Sequence, residues 1–436
     1  MAQKSRHNFK AKNPIRPVFE FLSNLLRVED IDDVRVGYRD FSRDGPLSPE
    51  LLVTILLFMA GDGNRSGYAH VLSRFWDQAE DFGIKLPSAV PVSAASLCDA
   101  RDKLAAEFLR RLIHDVHAKV ESDFPETTEF RGHRVFAVDG CKVNLRRSSE
   151  LDRAFGSPSG GHVPQVLMSA LVNVCNRVPA DVAIRGYASC ERSILLEEHL
   201  QFLESGDILV LDRGYPSYEV VGRLLDAEVD FLIRVPASST FPAIDEFLES
   251  GRQESAVTLE LPRTGDEDRR QVRLRAARLE TEDGPTVFLT SLPRARWSWS
   301  TLCQLYRMRW QAEELYKTFK ADYFDQRQFH SKKTDGVQQE ILASMLFLGI
   351  SRYLMAAAAE VHDCPLHEVS QKASVLGFAD YLLRILRQDP QSGPELIRRL
   401  LARIARHREK RRPRRSFPRR SFRPSPRWGA TGRRGA

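Results

Sequence analysis

The sequence predicts an α/β fold in which a mixed sheet is preceded and followed by helices. Three observations carry this. Apolar residues recur at helical spacing from about residue 15 to 123, and the period then shortens to β-rich runs bounded by Gly, Pro or Asn from about residue 131. Strands come first and are followed by strand-helix alternation, the order expected of an α/β layer with a mixed sheet.

The leading helical stretches are "VFEFLSNLL", "SPELLVTILLFMA", "SGYAHVLSRFWDQAEDF" and "SAASLCDARDKLAAEFLRRLIHDVHAKV". In the last, Leu97, Leu104, Phe108, Leu112, Val116 and Val120 keep one face, predicting a single long helix. Helices on either side of "IKLPSAVPVSA" permit a helix-turn-helix-like DNA-binding unit, with a generic bundle as the plainer alternative. "HRVFAVDGCKVNL", "PQVLMSALVNVCN" and "DILVLDRGY" read as strands, "ERSILLEEHLQFLESG" as a helix ending at Gly206, and "SYEVVGRLLDAEVDFLIRV" as helix then strand. Residues of about 237–292 alternate apolar and polar between charged turns, predicting an antiparallel β insertion. A helix over residues 300–320 and the apolar helix "GVQQEILASMLFLGISRYLMAAAAEV" follow.

The net charge of +7 is unevenly placed. Residues 401–436 hold 14 Lys and Arg against Glu409 alone, which leaves 51 basic and 57 acidic residues before them, a net −6. The Arg/Pro/Ser-rich stretch 405–436 reads as a disordered, polyanion-binding tail. Six scattered cysteines without paired or zinc-like spacing suggest reduced thiols in a cytoplasmic protein. "MAQKSRHNFKAKNPIRP" has no signal-like apolar core, and the apolar run from Ala343 is interrupted by Arg352, so no membrane role is expected.

Two aspartates stand where surface explanations are weakest. Asp139 ends the run in "VFAVDG" and Asp212 ends "DILVLD", both at the C-terminal end of a buried-looking strand, where α/β sheets gather ligands. The plain alternative is that each opens a turn. In "LYRMRWQAEELYKTFK", Leu305, Met308, Ala312, Leu315 and Phe319 form the buried stripe, and Tyr306, Arg309, Glu313 and Lys320 share a narrow stripe beside it. Glu314 falls about a quarter turn away, so spacing singles out Glu313. Three carboxylates in one pocket repel unless a cation neutralises them, and hard oxygen donors select Mg²⁺ or Mn²⁺ for in-line displacement at phosphorus. Three unrelated acids would give the same composition.

"VDG", "LDRGY" and the set Y-x2-R-x3-E-x6-K formed by Tyr306, Arg309, Glu313 and Lys320 resemble the insertion-sequence-four family of bacterial DDE transposases. The resemblance spans about residues 131–360, and "SAASLCDARDKL" is similar to the family's N-terminal region. It implies a ribonuclease-H-like catalytic core with a β insertion between the second and third carboxylates. It implies Asp139, Asp212 and Glu313 as catalytic ligands of two Mg²⁺ ions, with Mn²⁺ as substitute. Tyr306, Arg309 and Lys320 would contact DNA phosphates, and Arg213 and Tyr215 would support the second aspartate and the DNA. The implied partners are double-stranded DNA bearing terminal inverted repeats, target DNA, and a second copy in a synaptic homodimer.

The implied organisation is an N-terminal helical, DNA-binding domain (1–125), a catalytic domain (126–365), a helical region (366–404) and the tail. Cys141 departs from the small hydroxyl residue common in the family after Asp139-Gly140. Trp297 and Trp299 are expected as core or capping aromatics rather than base-stacking ones. Arg146, Arg147, Arg294, Arg296, Lys332 and Lys333 are candidates for a DNA groove. The same triad would serve a nuclease without strand transfer, and a catalytically silent DNA-binding descendant is a further alternative.

Overall fold

The computed structural model describes residues 14–25, 47–62, 66–159, 161–236, 241–263, 266–281, 284–320, 329–386 and 391–409. Most of the expected basic tail therefore lies outside the described residues. The chain opens with α1 (Ile15–Leu25), α2 (Pro49–Gly61), α3 (Tyr68–Asp81), α4 (Ala94–Arg101) and α5 (Ala106–Asp123). Ser48 caps α2 and Ser93 caps α4, each hydroxyl accepting a backbone N–H of the first turn.

The helix expected to run unbroken through residues 94–123 is two helices. A later helix makes the break: the Gln339 amide donates to the carbonyls of Arg101 (2.8 Å) and Leu104 (2.6 Å). The buried Arg101 guanidinium donates to Gln339 Oε1 (2.9 Å), Glu340 Oε1 (3.0 Å) and the Gly336 carbonyl (2.6 Å). These side chains satisfy groups that a continuous helix would have bonded internally. The connection 82–93 between α3 and α4 is also longer than the turn of three or four residues that defines a helix-turn-helix.

The central sheet holds β1 (Glu129–Phe130), β2 (His133–Asn144), β3 (Gln165–Asn173), β4 (Val178–Gly186), β5 (Ile208–Leu211), β6 (Asp230–Val235), β7 (Glu254–Arg263), β8 (Asp266–Thr281) and β9 (Gly284–Thr290). Its order is β4-β3-β2-β5-β6-β9-β8-β7, with β1 paired to β2. β2, β3 and β4 are antiparallel, β5 and β6 run parallel to β2, and the remaining pairings are antiparallel. The short α6 (Ser149–Phe155) lies between β2 and β3. α7 (Glu191–Ile194) follows β4 and runs on through wider and tighter turns to Phe202, and α8 (Tyr218–Asp226) links β5 to β6.

β2 and β5 are apolar on both faces because both faces are covered. Val135, Ala137, Ile208 and Val210 join the core shared with the helices, while Phe136, Val138, Leu209 and Leu211 join a second core with α8 and the later strands. The expected insertion differs in two ways. It begins with a helix, α9 (Pro242–Glu249), and its strands continue the main sheet, β9 pairing β6 from Leu232↔Thr290 to Val235↔Val287. Without β9, β6 would be an exposed edge beside β5.

After the sheet come α10 (Trp299–Met308), α11 (Trp310–Thr318), α12 (Thr334–Val361), α13 (Gln371–Leu386) and α14 (Gly393–Arg406). α12 is long and apolar enough to cross a bilayer, yet its apolar window is fully buried. It is packed against α2, α5, α13, α14 and β4. Since α1 packs on α14, the N- and C-terminal helices share one apolar core with α12.

Ser169 Oγ, His199 and Asp181 form a chain at 2.9 and 2.7 Å, in the donor order of a hydrolase triad. All three are fully buried, so no substrate reaches them. Burial opposes ionisation of Asp181, but Arg110, His114 and His199 outweigh it and hold the carboxyl well below its usual range. The group ties the turn after α7 to β3, β4 and α5.

Arg101 and Glu340 form a buried ion pair, and removing one partner strands the other charge in the core. Arg101→Met is expected to lower stability by about 3–5 kcal/mol in urea unfolding. The double variant Arg101→Met/Glu340→Gln should lose less than the single one; a larger loss would show that the charges are not coupled.

Candidate active site

Parallel pairing of β2 with β5 places Val135 beside Ile208 and Ala137 beside Val210. Carried two residues further, that register sets Asp139 level with Asp212 at the C-terminal strand ends, on the face that also carries Ala137 and Val210. Asp139 Oδ1 accepts the Gly140 N–H at 3.0 Å. In "DRGY", the Tyr215 N–H closes a turn onto the Asp212 carbonyl at 3.1 Å, which drives the tyrosine ring into the second core.

The third element is not the single helix expected over 300–320. α10 and α11 meet at Arg309, whose N–H bonds the Tyr306 carbonyl (3.1 Å) while its own carbonyl accepts from Ala312 N–H (3.0 Å). Tyr306 Oη donates to Asp212 Oδ1 at 3.0 Å, and Arg309 is ion-paired with Glu313. Asp212, Arg213, Arg234, Tyr306, Arg309 and Glu313 line one cleft of about 630 Å³. Glu314 belongs elsewhere: the Trp310 indole donates to it at 2.7 Å and Lys317 pairs with it.

A residue that spacing did not single out fixes α11 to the sheet. The Tyr316 hydroxyl donates to the Asp139 carbonyl (2.6 Å) and accepts from the Ala170 N–H (2.9 Å), two groups of one β2–β3 pair. Tyr316 lies one turn beyond Glu313, so this bond ties the helix that carries Glu313 to the sheet at Asp139. Arg234 on β6, 4.0 Å from Asp212, was also not anticipated, nor was Glu191, whose carboxylate accepts from Tyr215 Oη at 3.1 Å. Each is separated in sequence from any motif, and only the sheet order brings them in.

The residues expected to meet DNA face the carboxylates here. Tyr306 bonds Asp212, Arg309 bonds Glu313, and Lys320, itself exposed, brings its positive charge to the buried Cys141 thiol. Arg213 is exposed at the cleft, with its backbone N–H on Asp212. Tyr215 is only 2% exposed, so its support passes through Glu191 rather than through direct contact with DNA. Trp297 is buried against Phe130 and His133, and Trp299 packs on Phe288, as core aromatics do. Of the expected groove cations, Lys333 pairs with Asp102 and Arg294 lies 3.5 Å from Glu254, while Arg147, Arg296 and Lys332 are exposed.

Burial pushes the Asp139 carboxyl up to about 6, opposed by Arg309 and the Gly140 N–H and reinforced by Glu191 and Glu313. Asp212 goes the other way: burial is outweighed by the Arg213 N–H, Arg309, Tyr306 and Arg234, which lower it. Arg309 is thus the counter-charge of all three carboxylates. Among the described residues no three His, Cys, Asp or Glu side chains are already gathered as a metal cage. The donor set nonetheless suits a hard divalent cation, since its carboxylates are all-oxygen, mutually repelling and served by one buried guanidinium.

A carboxyl whose folded value lies above its unfolded one costs stability when ionised. The cost is absent below about pH 4, grows between pH 4 and 6, and is complete above. Asp139→Asn is therefore expected to stabilise the chelator-treated protein by about 2 kcal/mol at pH 7.5 and by nothing near pH 4, read by thermal unfolding. A pH-independent effect would overturn this reading of Asp139.

Comparison with known proteins gives the chain a family. The family model described as a transposase DDE domain matches residues 130–349, just over half of the chain and including Asp139, Asp212 and Glu313. No curated protein matches. Among solved structures, the cryo-EM synaptic complex of piggyBac transposase with hairpin DNA is similar with a TM-score of 0.45 and 12% identity, over 92% of this chain and 84% of that one. On the family match, the chain belongs to the transposase DDE domain family.

Proposed function

We propose that this protein is an insertion-sequence transposase that cleaves DNA at terminal inverted repeats and joins the freed 3′ ends to target DNA. The observation that carries the reading is the shared level of Asp139 and Asp212 on adjacent parallel strands, with the helix that carries Glu313 tied to Asp139 by Tyr316. The order β4-β3-β2-β5-β6, three antiparallel strands followed by two parallel ones, supports a ribonuclease-H-like core.

Asp139, Asp212 and Glu313 would hold divalent cations, two Mg²⁺ with Mn²⁺ as substitute. Bound there, such ions supply Lewis acidity for in-line attack at phosphorus by water and then by a 3′-hydroxyl. The chain does the positioning. Tyr306 orients Asp212 through its hydroxyl, and Arg309 keeps the carboxylates from repelling one another. Arg213 and Arg234 bring positive charge to the cleft wall that a phosphate backbone would approach. The synaptic unit would be a homodimer acting on double-stranded DNA.

The test is purified protein with Mg²⁺ and a fragment bearing the element's own terminal repeats, scored for end cleavage and for joined product. Glu313→Gln should reduce both by at least about a hundredfold, in the range lost when a group acting in the transition state is removed. Glu314→Gln should leave both close to wild type. Cleavage without joining would reduce the function to a nuclease, and equal loss in both variants would overturn the assignment of Glu313.

A further inference from the structure

Glu191 has no part in the reaction proposed above, yet two features hold it beside the site. It opens α7 immediately after β4, and its carboxylate leans across the backbone beside Asp139. A Cβ added at Gly140 would come within 2.4 Å of Glu191 Oε1 and 2.5 Å of its carboxyl carbon, closer than real side chains approach. Gly140 has no positive φ, so the space it leaves is taken up by the Glu191 carboxylate, and a side chain there would make that carboxylate swing away from its bond to Tyr215. The other oxygen, Oε2, accepts from Tyr215 Oη at 3.1 Å, and the tyrosine ring behind it is 2% exposed. Among the described residues no Lys, Arg or His pairs with Glu191, whereas Arg309 pairs with Glu313.

Among the described residues this half-buried carboxylate has no counter-ion, and the buried tyrosine and the glycine together leave it beside Asp139, where a cation would meet both. From this juxtaposition we infer that Glu191 is a fourth carboxylate of the catalytic centre, sharing with Asp139 the binding of a divalent cation, and that Tyr215 is its positioning residue. The inference rests on the proposed metal-dependent reading of this site. It gives "DRGY" a second role, because Asp212 enters the cleft directly while Tyr215 reaches under the sheet end to hold the carboxylate beside the first aspartate.

The test is Mn²⁺ binding to the full-length protein, followed by electron paramagnetic resonance of the free ion, together with the Mn²⁺ dependence of end cleavage. Glu191→Gln keeps the size and the bond to Tyr215 but removes the charge. It should weaken Mn²⁺ binding by about tenfold or more and raise the Mn²⁺ concentration for half-maximal cleavage by the same factor. Tyr215→Phe should move both in the same direction by less. Glu313→Gln is the reference. If it weakens Mn²⁺ binding while Glu191→Gln binds as wild type does, the role of Glu191 falls and the site stands. If wild-type protein binds no Mn²⁺, or neither variant changes binding, the metal-dependent reading falls as well. Should Glu191→Gln fail to fold, Glu191→Asp decides: charge retained on a shorter arm should still weaken binding, and unchanged affinity would overturn the proposal.

Discussion

The buried hydroxyl of Tyr316 is the contact on which the site depends. It bonds the carbonyl of Asp139 and the N–H of Ala170, so one side-chain oxygen joins α11 to two strands at the residue that begins the cleft. The sheet sets Asp139 level with Asp212 by register alone, but Glu313 belongs to a helix separated from Asp212 along the chain by four strands, β6 to β9, and by α8, α9 and α10. A helix packed on apolar contacts could slide by a few tenths of an ångström at little cost. A two-ended hydrogen bond with its hydroxyl buried cannot, because a shift leaves a polar group unsatisfied.

Around that fixed point the electrostatics divide the carboxylates. Asp212, with the Arg213 N–H, Tyr306 and Arg234 about it, is comfortable as an anion, while Asp139, more enclosed and beside Glu191 and Glu313, is not. Arg309 sits where α10 gives way to α11, so its guanidinium is carried by the irregular point of the chain rather than by a regular helix face. The unsettled charge is concentrated at the first strand end, where a cation would gain most.

Much of this was legible in the sequence. Asp139 and Asp212 each end a continuous apolar run, and the spacing of Tyr306, Arg309 and Glu313 brings them to one cleft while sending Glu314 to Trp310 and Lys317. The break at Asp102 to Ala105 was invisible because its cause, Gln339, lies more than 230 residues away. The sheet-continuing role of β7 to β9 was hidden for a similar reason: alternation reports which face is buried, and says nothing about which strand is the neighbour. Spacing did not single out Tyr316, and Glu191 stood only inside a stretch that reads as a helix. Their roles lie in oxygens that only tertiary structure can aim.

The burial of α12 also has a consequence in time. α2, apolar around nearly its whole circumference, is made early, and its main packing partner begins at Thr334. At roughly 5–20 residues per second, a ribosome takes on the order of tens of seconds to supply that partner. Through that interval the nascent chain carries the unmatched half of its largest core. Glu313 and Tyr316 emerge just before that partner, so the proposed catalytic glutamate and the main cover of α2 arrive almost together, late in synthesis.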